Sequence, residues 1–354
     1  LYSEIIRKSS TPHFCAAACG KIGDGLKTCN GCKMVKYCSA SCQKAHRSAH
    51  KEECKKRAAA LHDEGLYAEP PARKECDICF FPLPIPEGET CYMGCCGKQI
   101  CGGCCWASDT ERFSKSSRNG EPPQPDLCPF CRAEVPKTNE ERIRQLKNRT
   151  EKNDARAFHI LGTHYYRGDL GLRKDTKKGF ELWTKAAELG SVEAHTQIAS
   201  ACTPAEMKSS FEEKVDGVEP DVEKALSHYE IAAMGGNIGA RHNLGAIELQ
   251  SKNYRRAMKH YMISASAGYD TSLDMVKQGF RNGDVTKDEF EKTLRAHKDS
   301  ADAMRSVQRN LFLGSHDGSG SHYSKMTDKE KAEMAASPDF VKMMSMLRKH
   351  NIGE

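Results

Sequence analysis

The chain contains 354 residues, a length that predicts two or three domains. Its 54 basic and 48 acidic residues are intermingled and leave a net charge of +6, so we expect no nucleic-acid partner. We find no apolar signal segment and no stretch long enough to span a membrane, and therefore expect an intracellular protein of the cytoplasm or nucleus.

Cysteine is concentrated in the first third of the chain. Seventeen of the eighteen cysteines lie between residues 15 and 131. Several form Cys-x2-Cys pairs, in which two thiolates of one tight turn can hold the same Zn²⁺. Disulfide scaffolds are typical of small secreted domains, whereas the rest of this chain is ordinary helical sequence. We therefore predict zinc sites and not disulfides.

The first cysteine-rich segment spans 15–54 and follows an N-terminal tail, 1–14. It offers eight potential ligands, enough for two tetrahedral sites: Cys15, Cys19, Cys29, Cys32, Cys38, Cys42, His50 and Cys54. Large apolar residues are scarce in this segment, so a hydrophobic core cannot hold it together. Without metal we predict that it is unfolded.

The order of these ligands resembles a MYND-type zinc finger. That family interleaves its ligands. The resemblance therefore implies two sets, one of Cys15, Cys19, Cys38 and Cys42 and one of Cys29, Cys32, His50 and Cys54. MYND fingers dock short proline-containing peptides, but Arg47 stands where the family usually has the tryptophan that helps line the peptide groove. The departure at Arg47 weakens the expectation of peptide binding more than it weakens the expectation of the fold.

A second cysteine-rich module is predicted over 76–135, after a linker helix over 55–75. Three pairs mark it: Cys76 with Cys79, Cys101 with Cys104, and Cys128 with Cys131. No histidine lies between the first and the last of these cysteines. Two further ligands must therefore come from Cys91, Cys95, Cys96 or Cys105.

This layout resembles a RING finger, in which the first and third ligand pairs share one ion and the second and fourth share the other. The run at 95–101, Cys-Cys-Gly-Lys-x-Ile-Cys, is similar to an all-cysteine variant in algal proteins, which implies Cys95 and Cys96 as the second pair. Because adjacent ligands strain the turn, Cys91 with Cys95 or Cys96 stays an alternative. With both modules filled, we expect about four zinc ions per chain, two in each finger.

RING fingers recruit a ubiquitin-conjugating enzyme and act by holding its thioester conjugate in a reactive pose. The resemblance implies that Ile78 and Pro129 would form the docking groove and that Arg132 would contact ubiquitin. An exposed apolar groove at Ile78 and Pro129 would favour a ubiquitin ligase, and burial of Ile78 would remove its docking site.

A self-similar helical pattern fills 154–297, after a second linker helix over 136–153. Each unit has small and large apolar residues at helical spacing, and glycine ends its second helix. One unit cannot bury its own apolar face, so the copies are predicted to stack into a solenoid. The pattern resembles Sel-one-like repeats, relatives of tetratricopeptide repeats that usually serve as adaptor surfaces.

The aromatic and histidine side chains of the repeats differ in their expected burial. We expect Trp183, Tyr229 and Tyr261 in the core. The histidines His228, His242 and His260 are expected to be partly exposed helix residues. Residues 271–297 form either a fourth, degenerate unit or a capping helix pair, and 298–354 is predicted to be a flexible tail with possible helices.

The predicted fold is therefore mixed: two small zinc-stabilised cross-brace modules followed by an all-α solenoid of helix-hairpin repeats. This order of modules is similar to a family expanded in diatoms and related algae. Because all three modules bind proteins, we interpret the chain as an adaptor that recruits other proteins, with no catalytic residue of its own. The alternative is a RING-type ubiquitin ligase whose MYND finger or repeats select the substrate.

Overall fold

A computed structural model of the chain describes residues 15–306 and residue 309, except positions 18, 24, 86–88, 109–126 and 205–217. The predicted tail 1–14 and nearly all of the tail after the repeats lie outside the described residues. The chain divides into two units, Leu1–Ala68 and Glu69–Glu354. Among the described helices, none has the length and apolarity needed to cross a bilayer.

The first unit combines a short β-hairpin with one long helix. Strands β1 (Lys27–Thr28) and β2 (Lys36–Tyr37) pair in antiparallel fashion. Helix α1 (Ala40–Leu66) begins after Ser39, whose hydroxyl oxygen accepts a hydrogen bond from a backbone N–H of the first turn. Such an N-cap satisfies one of the free donors at the start of a helix.

Helix α1 differs from the predicted linker helix over 55–75. It begins inside the first cysteine-rich segment, so residues 55–66 continue a helix that already holds part of that segment. It ends at Leu66, nine residues earlier than predicted. Two prolines follow at Pro70 and Pro71, and proline disfavours helical conformation both for itself and for the residue before it.

The second unit opens with the second cysteine module. Strands β3 (Thr90–Tyr92) and β4 (Gln99–Cys101) pair in antiparallel fashion, with Cys91 opposite Ile100. Residues 102–108 continue from β4 as a helix. A small core of buried side chains lies beneath the hairpin: Cys76, Ile78, Leu83, Ile100, Cys101, Cys104 and Ala107. Cysteine sulfur therefore makes up a large share of this core.

Nine longer helices follow in the described part of the chain. They are α2 (Asn139–Thr150), α3 (Ala155–Arg167), α4 (Thr176–Glu188), α5 (Val192–Cys202), α6 (Val222–Met234), α7 (Ile238–Gln250), α8 (Tyr254–Ser266), α9 (Asp270–Asn282) and α10 (Lys287–Met304). Each helix packs on the next one in the chain, as expected for a solenoid of helix hairpins. A capping box begins α2, with reciprocal hydrogen bonds between Thr138 and Glu141.

The solenoid core contains the predicted aromatic residues. Trp183, Tyr229 and Tyr261 are each at most 3% exposed, which confirms their assignment to the core. The prediction for His260 is wrong, because this side chain is 1% exposed. It lies on α8, which packs against α7, α9 and α10, so little of that helix's surface reaches solvent.

The last helix extends beyond the predicted end of the repeats. Helices α9 and α10 occupy the segment where a degenerate unit or a capping pair was expected, and α10 continues to Met304. Residues 298–304, which fall in the predicted tail with possible helices, are therefore part of this helix. Thr286 and Glu289 form a capping box at the start of α10, a local signal that favours a stable helix.

Close helix packing makes one glycine of α7 sensitive to substitution. A Cβ atom at Gly245 would lie 2.8 Å from Cε1 of Tyr261, whereas a Cβ at Gly239 of the same helix would meet nothing closer than 3.5 Å. We expect Gly245→Ala to lower the free energy of unfolding of the solenoid by about 1–3 kcal/mol through overpacking. The control Gly239→Ala should be neutral or raise it by up to about 1 kcal/mol. Urea unfolding followed by circular dichroism measures both, and an equal effect of the two variants would contradict the packing.

Candidate metal centres

Two clusters of ligand atoms lie in the first cysteine-rich segment. Cys15, Cys19, Cys38 and Cys42 form one, and Cys29, Cys32, His50 and Cys54 form the other, with all donor atoms of each cluster within 4.8 Å of one another. The Sγ atoms of Cys19 and Cys38 are 3.5 Å apart, and those of Cys29 and Cys54 are 3.7 Å apart. The structure thus brings together the two sets that the sequence resemblance implied.

The hairpin and the helix explain this interleaving. Cys29 and Cys32 lie in the turn between β1 and β2, whereas Cys42 lies on the first turn of α1, just after β2. His50 and Cys54 project from the same helix one turn apart, a spacing that places two side chains on one face. Elements far apart in sequence therefore meet at each cluster.

His46 is not part of either cluster. Its Nδ1 atom lies 3.0 Å from the hydroxyl of the buried Tyr37, and its ring stacks on that of His50 at 5.6 Å between centroids. The His50 imidazole beside it belongs to the second cluster, with its Nε2 3.3 Å from Sγ of Cys32.

Backbone N–H groups favour the thiolate form at two of these cysteines. Hydrogen bonds from the backbone of Cys38 and Ala17 lower the pKa of the Cys15 thiol to about 6. The pKa of Cys29 is also lowered to about 6, chiefly by a hydrogen bond from the backbone of Cys32. Since zinc binds the thiolate, these bonds prepare the sulfur atoms for metal.

Two clusters also lie in the second module. Cys76, Cys79, Cys101 and Cys104 form one, and Cys95, Cys96, Cys128 and Cys131 form the other. The Cys79 and Cys101 sulfurs are 3.9 Å apart, and the Cys96 and Cys128 sulfurs are 3.7 Å apart. In this arrangement the first and third cysteine pairs share one cluster, and the second and fourth share the other.

Two of the four cysteines that the sequence left open as ligands lie outside these clusters. Cys91 is on strand β3 and Cys105 follows Cys104 on the helical residues 102–108. Both are partly buried and pack against the core of the second module. The adjacent Cys95 and Cys96 reach one cluster because they lie in the turn between β3 and β4, which ends at Gly97 with φ of 80°, a conformation that favours glycine.

The three tightest cysteine turns share one backbone conformation. Lys33, Phe80 and Arg132, each following the second cysteine of a Cys-x2-Cys pair, have φ between 57° and 61°. In each turn the N–H of that residue donates to the carbonyl of the first cysteine, at 3.0–3.1 Å. Such left-handed positions are unusual for residues other than glycine and persist where surrounding contacts demand them. Here the left-handed conformation allows both sulfurs of the turn to point to the same place.

The distances fit zinc. A tetrahedral ion with Zn–S bonds of about 2.3 Å requires sulfur atoms about 3.8 Å apart, and the distances above lie between 3.5 and 3.9 Å. None of the eighteen cysteines, all of which lie in described residues, forms a disulfide. Each cluster also supplies four protein ligands, the number found in structural zinc sites.

The predicted docking groove of the second module is not present as expected. Ile78 is 1% exposed and packs in the core of the module, so the prediction that it lines an exposed groove is wrong. The spacing Cys-x-Ile-Cys fixed its place in the turn but not the side chains around it. Pro129 is half-buried and Arg132 is exposed. The exposed apolar residue of this turn is Phe80, at 54%.

Comparison with known protein families finds matches for the first cysteine-rich segment and for part of the helical repeats. The model of the MYND finger matches residues 15–54. The model of the Sel1 repeat matches residues 155–191, 214–237 and 239–269. The chain carries a MYND finger followed by Sel1 repeats. The second cysteine module lies between these matches.

Solved structures and curated proteins add little to this assignment. The crystal structure of a Sel1 repeat protein from Oxalobacter formigenes is similar over 56% of this chain and 74% of that chain, with 19% identity and a TM-score of 0.37. A protective antigen of uropathogenic Escherichia coli strains that displays an SLR fold is similar over 69% of this chain and 60% of that chain, with 14% identity and a TM-score of 0.28. No match is found among curated proteins.

Sequence reasoning missed a pair of histidines between two helices of the Sel1 repeats. Nδ1 of His195 on α5 lies 2.9 Å from Nδ1 of His228 on α6. His195 is also hydrogen-bonded to the backbone of Ala187, and the tautomers of the two rings decide which of them donates to the other. The two residues are 33 positions apart, and nothing in the local sequence indicates that they meet.

This histidine pair predicts a loss of stability in acid. Burial lowers the pKa of both rings below the usual value of 6.5, and the positive charge of Lys224 adds to this at His228. Since the unfolded chain binds protons more readily, the stabilisation is present above pH 6.5 and is lost as pH falls. Between pH 7.5 and 5 we expect the unfolding free energy of the repeats to fall by about 1 kcal/mol. The expected loss is small because water screens the charge of the protonated rings.

Thermal unfolding across this pH range tests the histidine pair. The variant His228→Gln should flatten the pH dependence, whereas His62→Gln, on α1 of the other unit, should leave it unchanged. A pH dependence that is the same in wild type and His228→Gln would contradict the assignment of the titration to this pair.

Proposed function

We propose that the chain is a zinc-dependent adaptor that brings proteins together through its MYND finger, a RING-like second finger and its Sel1 repeats. The observation that carries this proposal is the set of four closed ligand clusters, each with four protein donor atoms. Such a site has no open position for a substrate or an activated water, so its metal is structural. The metal would supply folding energy, and the protein surfaces around it would do the binding.

We propose four zinc ions per chain, with the ligands grouped as the four clusters are. The RING-like assignment of residues 76–135 is supported by the interleaving of cysteine pairs, in which sulfurs of the first and third pairs meet, as do those of the second and fourth. Cys95 and Cys96 are proposed as the second pair because their sulfurs, and not that of Cys91, lie with Cys128 and Cys131.

Two matched substitutions test the second pair. Zinc released from the denatured chain can be counted with a chromogenic chelator. Cys95→Ser is expected to lower the count by one, whereas Cys91→Ser should leave it unchanged, although both remove one thiol from the same hairpin. Loss of an ion in Cys91→Ser, with no loss in Cys95→Ser, would contradict the proposed ligand set.

A ubiquitin ligase is the competing function. Its docking groove was expected to include Ile78, and the burial of this side chain in the core of the second module removes that support. Phe80 and Arg132 remain as exposed residues next to the cysteine turns. Both have positive φ, so Arg132→Gly removes the guanidinium without straining the turn.

A ubiquitin-transfer assay distinguishes the two functions. Zinc-loaded full chain would be combined with a panel of ubiquitin-conjugating enzymes, with Phe80→Ala and Arg132→Gly as variants that spare the metal ligands. The adaptor proposal predicts no chain formation above a chelated control. Ubiquitin chains that form with the wild type and are lost in Phe80→Ala or Arg132→Gly would replace the adaptor proposal with a ligase.

The peptide-docking function of the MYND finger depends on Arg47. This residue is exposed on α1 at the position where the family usually has an aromatic side chain. A guanidinium offers less flat apolar surface to proline than an indole ring does. Labelled proline-containing peptides should therefore bind the full chain weakly and bind Arg47→Trp more tightly. Equal binding by both proteins would mean that this groove is not the docking surface.

A further inference from the structure

One arginine from beyond the Sel1 repeats is buried against the second cysteine module. Arg309 is 4% exposed. Its Nη1 atom donates to the carbonyls of Pro82 at 2.8 Å and Met304 at 2.9 Å. Its Nη2 atom donates to the carbonyl of Phe81 at 3.4 Å and to Sγ of Cys79 at 3.8 Å. The guanidinium is therefore held on several sides, and one of its partners is a sulfur of a metal cluster.

A second, half-buried arginine, Arg73, lies beside it. Arg73 donates to the carbonyl of Leu83 and to the sulfur of Met304. Burial, together with the positive charge of Arg309, lowers the pKa of Arg73 to about 10. In the part of the chain that the structure describes, neither arginine forms an ion pair with a carboxylate. Burial raises the pKa of the Glu89 carboxyl, and the positive charge of Arg309 opposes that shift. A buried guanidinium such as that of Arg309 is strongly unfavourable unless negative charge lies close to it.

The cluster of Cys76, Cys79, Cys101 and Cys104 can provide negative charge beside Arg309. Four thiolates around one Zn²⁺ leave a net charge of about −2 on the site. A negative charge in a buried position is unfavourable unless positive charge lies close to it, and the guanidinium of Arg309 supplies that positive charge. Hydrogen bonds to ligand sulfurs are a recognised way in which surrounding residues tune a metal site.

We propose that Arg309 is a positioning residue of this metal site, whose guanidinium offsets the charge of the thiolates and thereby slows the loss of zinc. The inference rests on the zinc ligands proposed above. The position of Arg309 also has a structural consequence, because its guanidinium donates a hydrogen bond to the carbonyl of Met304, the last residue of α10. The metal site and the end of the Sel1 repeats therefore stabilise each other.

The test measures how fast each cysteine becomes reactive. The zinc-loaded full chain would be exposed to a chelator and an alkylating reagent, and peptide mass spectrometry would follow each cysteine separately. In Arg309→Met we expect Cys76, Cys79, Cys101 and Cys104 to be alkylated about tenfold faster than in the wild type, the effect of losing a hydrogen bond to a charged group. In Arg309→Lys, which keeps the charge, the increase should be about threefold or less.

Three internal controls separate a local effect from unfolding. Arg305→Met alters an exposed arginine of the same segment, paired with Asp302, and should behave as wild type. Cys202, fully buried in the Sel1 repeats, reports on opening of the solenoid. Cys29 of the MYND finger reports on zinc loss elsewhere. Both should keep their wild-type rates in Arg309→Met.

The outcomes are distinguishable. Unchanged protection of the four cysteines in Arg309→Met would overturn the role of Arg309, and so would equal acceleration at Cys202 or in Arg305→Met. If these four cysteines react at once in the wild type without chelator, the zinc assignment itself fails. Selective acceleration in Arg309→Met, with partial protection in Arg309→Lys, would support the proposal.

Discussion

Removal of zinc is expected to unfold the MYND finger and leave most of the Sel1 repeats folded. Within residues 15–54, the described side chains that are buried are four: Cys15, Cys29, Cys32 and Tyr37. Three of them are zinc ligands in our proposal, so almost nothing remains to hold the finger when the metal leaves. Structural zinc contributes roughly 10–16 kcal/mol per site, far more than one buried tyrosine can replace.

Hydrogen exchange read by mass spectrometry tests this expectation in one experiment. After chelation, amides of β1, β2 and the first turns of α1 should exchange at the rate of an unfolded chain. Amides of α3 to α8, whose core is built from aliphatic and aromatic side chains, should keep their protection. Protection of the finger in a chain shown to be free of metal would mean that zinc does not hold it together.

Ile78→Ala is expected to destabilise the second cysteine module strongly. The side chain is 1% exposed and packs with Leu83, Ile100 and Ala107. Truncating a fully buried isoleucine to alanine costs about 2–5 kcal/mol, depending on how far the site can collapse. The large effect follows from burial alone and does not require a partner protein.

The neighbouring Phe80→Ala provides the control. Phe80 is 54% exposed, so its truncation should change stability by no more than about 0.5 kcal/mol. Exchange of the amides of β3 and β4 reports the local opening free energy in both variants. Equal stability of Ile78→Ala and wild type would show that Ile78 lies at the surface and would restore the docking groove of a ligase.

Features encoded by short-range spacing could be predicted from the sequence. A Cys-x2-Cys turn places two sulfurs together by its own backbone, and a capping box such as Thr138 with Glu141 involves residues three apart. The repeat pattern likewise predicted that Trp183 and Tyr261 are core residues, and both rings pack against a glycine of the preceding helix. In these cases the local sequence is sufficient to predict the structural feature.

Features that depend on distant segments could not be predicted. Arg309 bonds to Cys79, 230 residues earlier in the chain, and no local pattern indicates such a contact. Whether Ile78 is exposed depends on the hairpin and the helical residues 102–108 that cover it, and not on its place between two ligands. His260 is buried because its helix has neighbours on several sides. Burial is a property of the packed structure.

Native mass spectrometry of the zinc-loaded full chain tests the central claim most directly, because it counts the ions that the folded protein retains. The four closed clusters predict a single main species with four zinc ions. A main species with two ions, unchanged by added zinc, would contradict the proposal that all four clusters hold zinc.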